Sequence, residues 1–262
     1  MGGEKTKGEL IMRKIKGFLL IGITISILFS SLIITTAAEM TAEEIILKRD
    51  SNEYFDTAQM EAEMIIVSGG RKITKTMLIL SDKRNALIEF TNPVDRGTKF
   101  LKREGDLWMF FTDAEEIIKI SGHMLNQGMM GSDFSYQDIM ESDKLTDLYN
   151  FEVIKEEEIE GSLCYVLEGI AREGVKVSYY RRVSWIDKER FIGLKEELYT
   201  QSGRLLKETK VNKIEEIEGR WVPTNSIMEN KLRKDTYTEF TITQIKFNLE
   251  IPEETFSLQN LR

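Results

Sequence analysis

The stretch Ile120-Ser-Gly-His-Met-Leu-Asn-Gln-Gly-Met-Met-Gly-Ser-Asp-Phe-Ser-Tyr136 decides how this chain is read, because the residues on both sides of it alternate like strands and it does not. It holds the single histidine of the 262-residue chain, three glycines that interrupt any regular element, three methionines and two aromatics. A strongly apolar strand candidate runs directly into it. Long irregular segments inside compact β proteins are lids, binding loops or disorder.

Towards the N-terminus the alternation gives short strands with turn residues between them. Ala62 to Val67 and Ile73 to Leu80 flank Gly69-Gly70, a direct hairpin signal. Ala86 to Phe90, Thr98 to Leu101 and Leu107 to Phe111 continue the meander through Asn92-Pro93 and Glu104-Gly105-Asp106. Towards the C-terminus, Phe151 to Ile159, Leu163 to Ile170, Val175 to Ile186, Leu194 to Tyr199, Leu205 to Ile217, Trp221 to Met228 and Tyr237 to Phe247 read the same way. About twelve strands with connections too short for crossover helices predict a mainly β (α+β) protein with a large antiparallel sheet or barrel. Thr238, Phe240 and Ile242 share one parity, Ile245 and Phe247 the other; a bulge near Thr243-Gln244 would turn both sets inward. Charged residues at alternate positions, as in Lys207 to Asn212, make one face wet.

Helix is sparse. Thr41-Ala-Glu-Glu44 has capping-box form, and about four helical turns should follow it, with Ile45, Ile46, Tyr54 and Phe55 as apolar contacts. Asp50-Ser51-Asn52 weaken the middle of that helix. Before it, Arg13, Lys14 and Lys16 precede an uncharged run from Gly17 to Thr36 that closes on Ala37-Ala38. This predicts a secretory signal peptide over 1–38, cleaved after Ala38, with an uncleaved anchor as the alternative and Met12 as a second candidate start. No cysteine follows the run, so a bacterial lipid anchor is not expected at this point. Residues 39–262 suit one domain.

Charge and rare residues exclude several functions. The net charge of −8 becomes −11 once the five basic and two acidic residues of 1–38 are set aside, and no stretch concentrates Lys and Arg as nucleic-acid binding requires. Cys164 and His123 cannot assemble a zinc site of three or four Cys/His ligands, although carboxylates could complete a weaker one. Cys164, between Leu163 and Tyr165, reads as a buried free thiol. A triad of Ser121 or Ser132, His123 and Asp133 lacks a nucleophile elbow, and triad members normally come from distant parts of a chain. His123 reads as a loop residue that bonds backbone near Gly122. No pair of carboxylates is singled out for glycoside hydrolysis. No cofactor or metal is expected, and no enzyme activity.

The methionines carry more weight. Met124, Met129 and Met130, with Leu125, Phe134 and Tyr136, offer adaptable apolar surface, and ordinary core under a loop is the plain alternative. A curved sheet with few helices to cover its inner face, and a Gly/Met segment placed to close over it, is how a chain would hold an acyl group. Each lipid methylene buried is worth about 0.8 kcal/mol. Trp108 and Phe110 join the candidate set from the adjacent strand; their face is not fixed by parity alone.

The runs Thr98-Lys-Phe-Leu-Lys-Arg103, Gly105-Asp-Leu-Trp-Met-Phe110, Ile117 to Asp138 and Gly219-Arg-Trp-Val-Pro-Thr224 resemble the outer-membrane lipoprotein-sorting family, the LolA-like superfamily. The opening stretch is the most specific part of the resemblance, which spans nearly the whole chain after residue 38. It implies an incomplete, strongly curved antiparallel β-barrel with helices on its concave side. It also implies a non-enzymatic periplasmic carrier for lipoprotein acyl chains or lipid, with an inner-membrane export complex and an outer-membrane acceptor as partners. The site residues it favours are Trp108, Phe110, Met124, Leu125, Met129, Met130, Phe134 and Tyr136, as cavity and lid. In the best-known carriers a strand arginine bonds the lid backbone; no motif places that arginine here. Alternatives are an envelope scaffold or accessory subunit of a lipid-export complex without a cavity, and a lipid hydrolase.

Overall fold

The computed structural model describes residues 39–53, 55–141 and 145–262. The expected signal segment 1–38 and the expected helix contact Tyr54 lie outside the described residues. Thirteen strands form one sheet: β1 (Thr57–Ser68), β2 (Arg71–Asp82), β3 (Ala86–Phe90), β4 (Lys99–Arg103), β5 (Asp106–Phe111), β6 (Glu116–Ile120), β7 (Tyr149–Ile159), β8 (Ser162–Ala171), β9 (Arg181–Asp187), β10 (Gly193–Tyr199), β11 (Leu205–Ile217), β12 (Arg220–Asn230) and β13 (Thr236–Phe247). Their spatial order is β6-β5-β4-β3-β2-β1-β13-β12-β11-β10-β9-β8-β7, antiparallel throughout. The first and last strands therefore pair at the middle, while β6 and β7 are the two open edges. The sheet is an incomplete barrel.

Local chemistry accounts for the elements. Gly69 and Gly70, both at positive φ (54° and 76°), make the tight turn between β1 and β2. Glu61 pairs with Gln244 and Ala62 with Ile242, so Thr243 is the extra residue of a bulge, and its hydroxyl donates to the Glu61 carbonyl. Across that bulge Ile242, Ile245 and Phe247 pack into one cluster with Ala58 and Met60, as the two parities require. Helix α1 (Ala42–Glu53) carries the reciprocal capping box: the Glu44 amide donates to the Thr41 hydroxyl and the Thr41 amide to the Glu44 carboxylate, at 3.2 and 2.8 Å.

Three expectations change. Strand β6 makes the count thirteen. The span Val175 to Ile186 is strand only from Arg181; residues 172–180 form a loop, in which Val177 and Tyr179 find inward partners without strand pairing. Helix α1 has 12 residues, nearer three turns than four, and it runs through Asp50-Ser51-Asn52 because Asn52 donates to the carbonyls of Arg190 and Phe191.

Helix α1 and residues 124–140 pack on one face of the sheet, here the inner face. Directly opposed residues share a face, so Met64 opposite Phe240 and Ile66 opposite Thr238 carry the inner face across β1 and β13. Helix α1 buries Ile45 and Ile46 completely against Leu167 and Ile186 of β8 and β9, together with Leu145 of the short helix α3 (Leu145–Leu148). The outer face over β3–β6 is covered by the C-terminal tail, whose Phe256 and Leu261 pack on Leu87, Leu101 and Phe110. Cys164 is fully buried, and burial pushes its thiol up to about 11.

Candidate functional site

Residues 121–141 follow one open edge of the sheet, β6, residues 145–148 precede the other, β7, and side chains from 124 to 140 pack on the inner face. The segment is irregular but built. It contains two 3-10 turns, Gly122–Asn126 and Met129–Gly131, and the short helix α2 (Tyr136–Met140). Gly128 and Ser135 form an isolated antiparallel bridge, with the Met129 amide on the Phe134 carbonyl at 2.7 Å and the Tyr136 amide on the Gln127 carbonyl at 3.1 Å. A Cβ on Gly128 would meet the Ser132 carbonyl oxygen at 2.2 Å, so this glycine serves close approach within the loop. Met130 is left-handed at φ 51°, a conformation that costs about 1–3 kcal/mol in a non-glycine residue and must be held by its surroundings.

Those surroundings are apolar. Met129 and Tyr136 are buried in one cluster with Met64, Met77, Phe90, Phe100, Leu107 and Met109, and Met124, Leu125, Met130 and Phe134 pack against it. The Tyr136 ring lies 5.5 Å from that of Phe100, and Phe134 meets Phe240 edge to face at 6.2 Å. Six of the eight expected site residues therefore meet on the inner face. Trp108 and Phe110 do not join them: they point to the outer face, beneath Phe256 and Leu261, while their neighbours Leu107 and Met109 face the segment.

A second set of contacts is polar and directional. Thr238 of β13 accepts from the Asp133 amide and donates to its carboxylate, both at 2.9 Å. Asp138 of α2 caps its own helix through Ser135, receives the Tyr179 hydroxyl at 2.7 Å and pairs with Lys207 of β11 at 2.7 Å. Lys102 of β4 donates to the Ile139 carbonyl at 3.3 Å. Glu141 accepts from the Ser178 amide at 2.8 Å; burial raises its pKa, against the hydrogen bonds from Ser178 and Gln137 and the charge of Arg182. Arg182 lies over the Tyr149 ring and 3.4 Å from Glu196, while the Tyr149 hydroxyl donates to the Tyr179 carbonyl. Burial pushes the Tyr149 hydroxyl up to about 12.

Neither Lys102 nor Tyr179 stands out in the sequence, Thr238 does so only as an inward-facing position, and Lys207 only as part of a wet strand. A lysine at alternate positions of a strand reads as a wet face, and only the pairing of Thr209 with Met228 and of Met228 with Thr238 turns Lys207 inward. His123 is exposed, Asp133 is engaged with Thr238, and the Ser132 hydroxyl donates to the Phe134 carbonyl. Among the described residues no group of three or more His, Cys, Asp or Glu could hold a metal ion.

Residues 82–262 match a family model whose description reads only "uncharacterized protein", and the chain belongs to that family. No curated protein matches the chain. Among solved structures, a DUF1329 family protein from Desulfovibrio piger is 26% identical with a TM-score of 0.79, over 84% of this chain and 98% of that one. A domain from Vibrio parahaemolyticus named for outer-membrane lipoprotein sorting is 26% identical with a TM-score of 0.75, over 83% and 97%. A LolA superfamily protein from Nitrosomonas europaea is 25% identical with a TM-score of 0.71, over 85% and 100%.

Proposed function

We propose that this chain, which belongs to the LolA-like family, is a non-enzymatic carrier that shields acyl chains of lipoproteins or lipids on its inner face on the way to an outer membrane. Residues 1–38 would direct export, and the carrier would work in the periplasm between an inner-membrane export complex and an outer-membrane acceptor. The observation that carries the reading is the segment joining the two open edges, which fills the inner face of β1–β6 with methionine, leucine and aromatic side chains. An acyl chain placed there meets the same apolar surface that these side chains meet, and thioethers re-form around a guest of variable shape. Met124, Leu125, Met129, Met130, Phe134 and Tyr136 are the proposed lid. Leu107 and Met109 replace Trp108 and Phe110 as the strand contribution, because they face it.

A scaffold without a cavity is the competing reading, and the close packing of the segment on the sheet favours it. Native mass spectrometry of the exported protein separates the two: acyl-chain mass supports the carrier, and failure to retain any lipid or lipopeptide sinks it. Met129→Asp then localises the site. A charge in an acyl cavity is costly, whereas a cover segment lies at the low-stability end of a fold, so lipid retention should fall far more than thermal stability. Equal loss of both identifies the segment as plain core.

A further inference from the structure

Two neighbouring hairpin tips carry a charge opposite to that of the whole chain. The β1–β2 turn and the β12–β13 turn lie side by side, joined by the Gly69 amide on the Asp235 carbonyl at 3.3 Å. Residues 68–73 and 231–237 contain five basic residues, Arg71, Lys72, Lys231, Arg233 and Lys234, against one acidic residue, Asp235, in a protein of net charge −8. Lys231 is held by Glu208 and Glu229 and Arg233 lies 3.9 Å from Asp133, whereas Arg71, Lys72 and Lys234 are exposed. The same two tips carry three large side chains that face water: Ile73 at 52% exposure, Leu232 at 48% and Tyr237 at 37%, with Ile73 opposite Ile66 on the inner face and Tyr237 opposite Val67 on the outer.

We infer that these two tips form a docking surface for an anionic lipid bilayer. Exposed apolar side chains rimmed by charge mark membrane or protein contacts. Lysine and arginine near an anionic leaflet, with tyrosine at the headgroup level, is the composition that membrane interfaces select. Because Ile73 and Tyr237 lie on opposite faces of the sheet, a deformable headgroup layer around the turns can meet both, whereas one flat partner surface cannot. The surface adjoins the segment that packs on the inner face, since Arg233 lies 3.9 Å from Asp133 and Asp133 is bonded to Thr238 of the same hairpin. The inference does not rest on the carrier reading: a scaffold could dock the same way.

The test places an environment-sensitive nitrobenzoxadiazole dye on Leu232→Cys in the full chain, with Leu163→Cys as the control. Leu163 is an equally exposed apolar residue, 50%, at the opposite ends of the strands, and the native Cys164 is too buried to compete for label. Any effect of residues 1–38 on vesicle binding acts on both probes. Phosphatidylcholine vesicles containing phosphatidylglycerol should blue-shift and brighten the dye at 232 and leave it unchanged at 163, and phosphatidylcholine alone should do neither. Each of Lys72→Gln and Lys234→Gln should weaken the response about fivefold, the value of about 1 kcal/mol per cation at an anionic surface. No response at 232, an equal response at 163, or a response indifferent to phosphatidylglycerol and to both substitutions overturns the docking surface.

Discussion

Helix α1 and residues 121–140 lie on the same face of one sheet, yet they are held there by different means. The helix presents two branched side chains, Ile45 and Ile46, both fully buried and fixed by a capped, regular backbone. The other cover presents unbranched methionines on an irregular backbone, and its position is set by a few directed contacts to Thr238, Lys207 and Lys102. A stiff side chain on a regular element specifies one packing; a flexible thioether accepts several. One half of the inner face is a permanent core, and the other is a surface whose occupant is located by polar contacts at its margins.

The largest effect that would sharpen this contrast belongs to α1. Ile46→Ala should cost about 2–5 kcal/mol in chemical denaturation, the range for a buried large-to-small change, and lower global stability without a selective loss of lipid. If lipid retention falls first, the two covers are not distinct. Lys207→Met leaves Asp138 without its charge partner, and removing one member of a buried pair costs about 3 kcal/mol or more. That loss should appear locally, as faster amide exchange in α2 ahead of the strands. Thr238→Val removes the donor and acceptor that face Asp133, for about 1–3 kcal/mol, again read as exchange in residues 132–136.

The smallest effect is a gain. Burial raises the pKa of Glu141, so the folded state holds the proton more readily than the unfolded chain, and the stability of the neutral form is lost as pH rises through the folded pKa. Glu141→Gln stays neutral and can still accept from Ser178. Its melting temperature should exceed that of the parent at neutral pH, and the difference should vanish below the ordinary carboxylate range. An advantage that persists in acid would mean that packing, not charge, is responsible.

The sequence carried the local features well. The Gly69-Gly70 turn, the Thr41–Glu44 box and the bulge at Thr243 depend on neighbours within a few residues, and period-2 alternation marks most strands without knowledge of their partners. Residues 172–180 misled because Val175, Val177 and Tyr179 alternate like a strand while serving a loop. The orientation of Trp108 and Phe110 was illegible for a different reason. Their face is decided by Phe256 and Leu261, about 150 residues further on, and no local pattern reports a contact at that distance. Lys207 was hidden likewise, since its partner is the segment and not the strand beside it.

The pairing of β1 with β13 also bears on when this protein can fold. Ala58 meets Phe247, 189 residues away, and every strand from β7 to β12 reaches β1 only through β13. The two meanders can form from nearby contacts, but the seam between them must wait for the last strand to leave the ribosome, and long-range pairing of this kind is slow. Until β13 is made, a nascent chain therefore holds its two meanders without the seam that joins them.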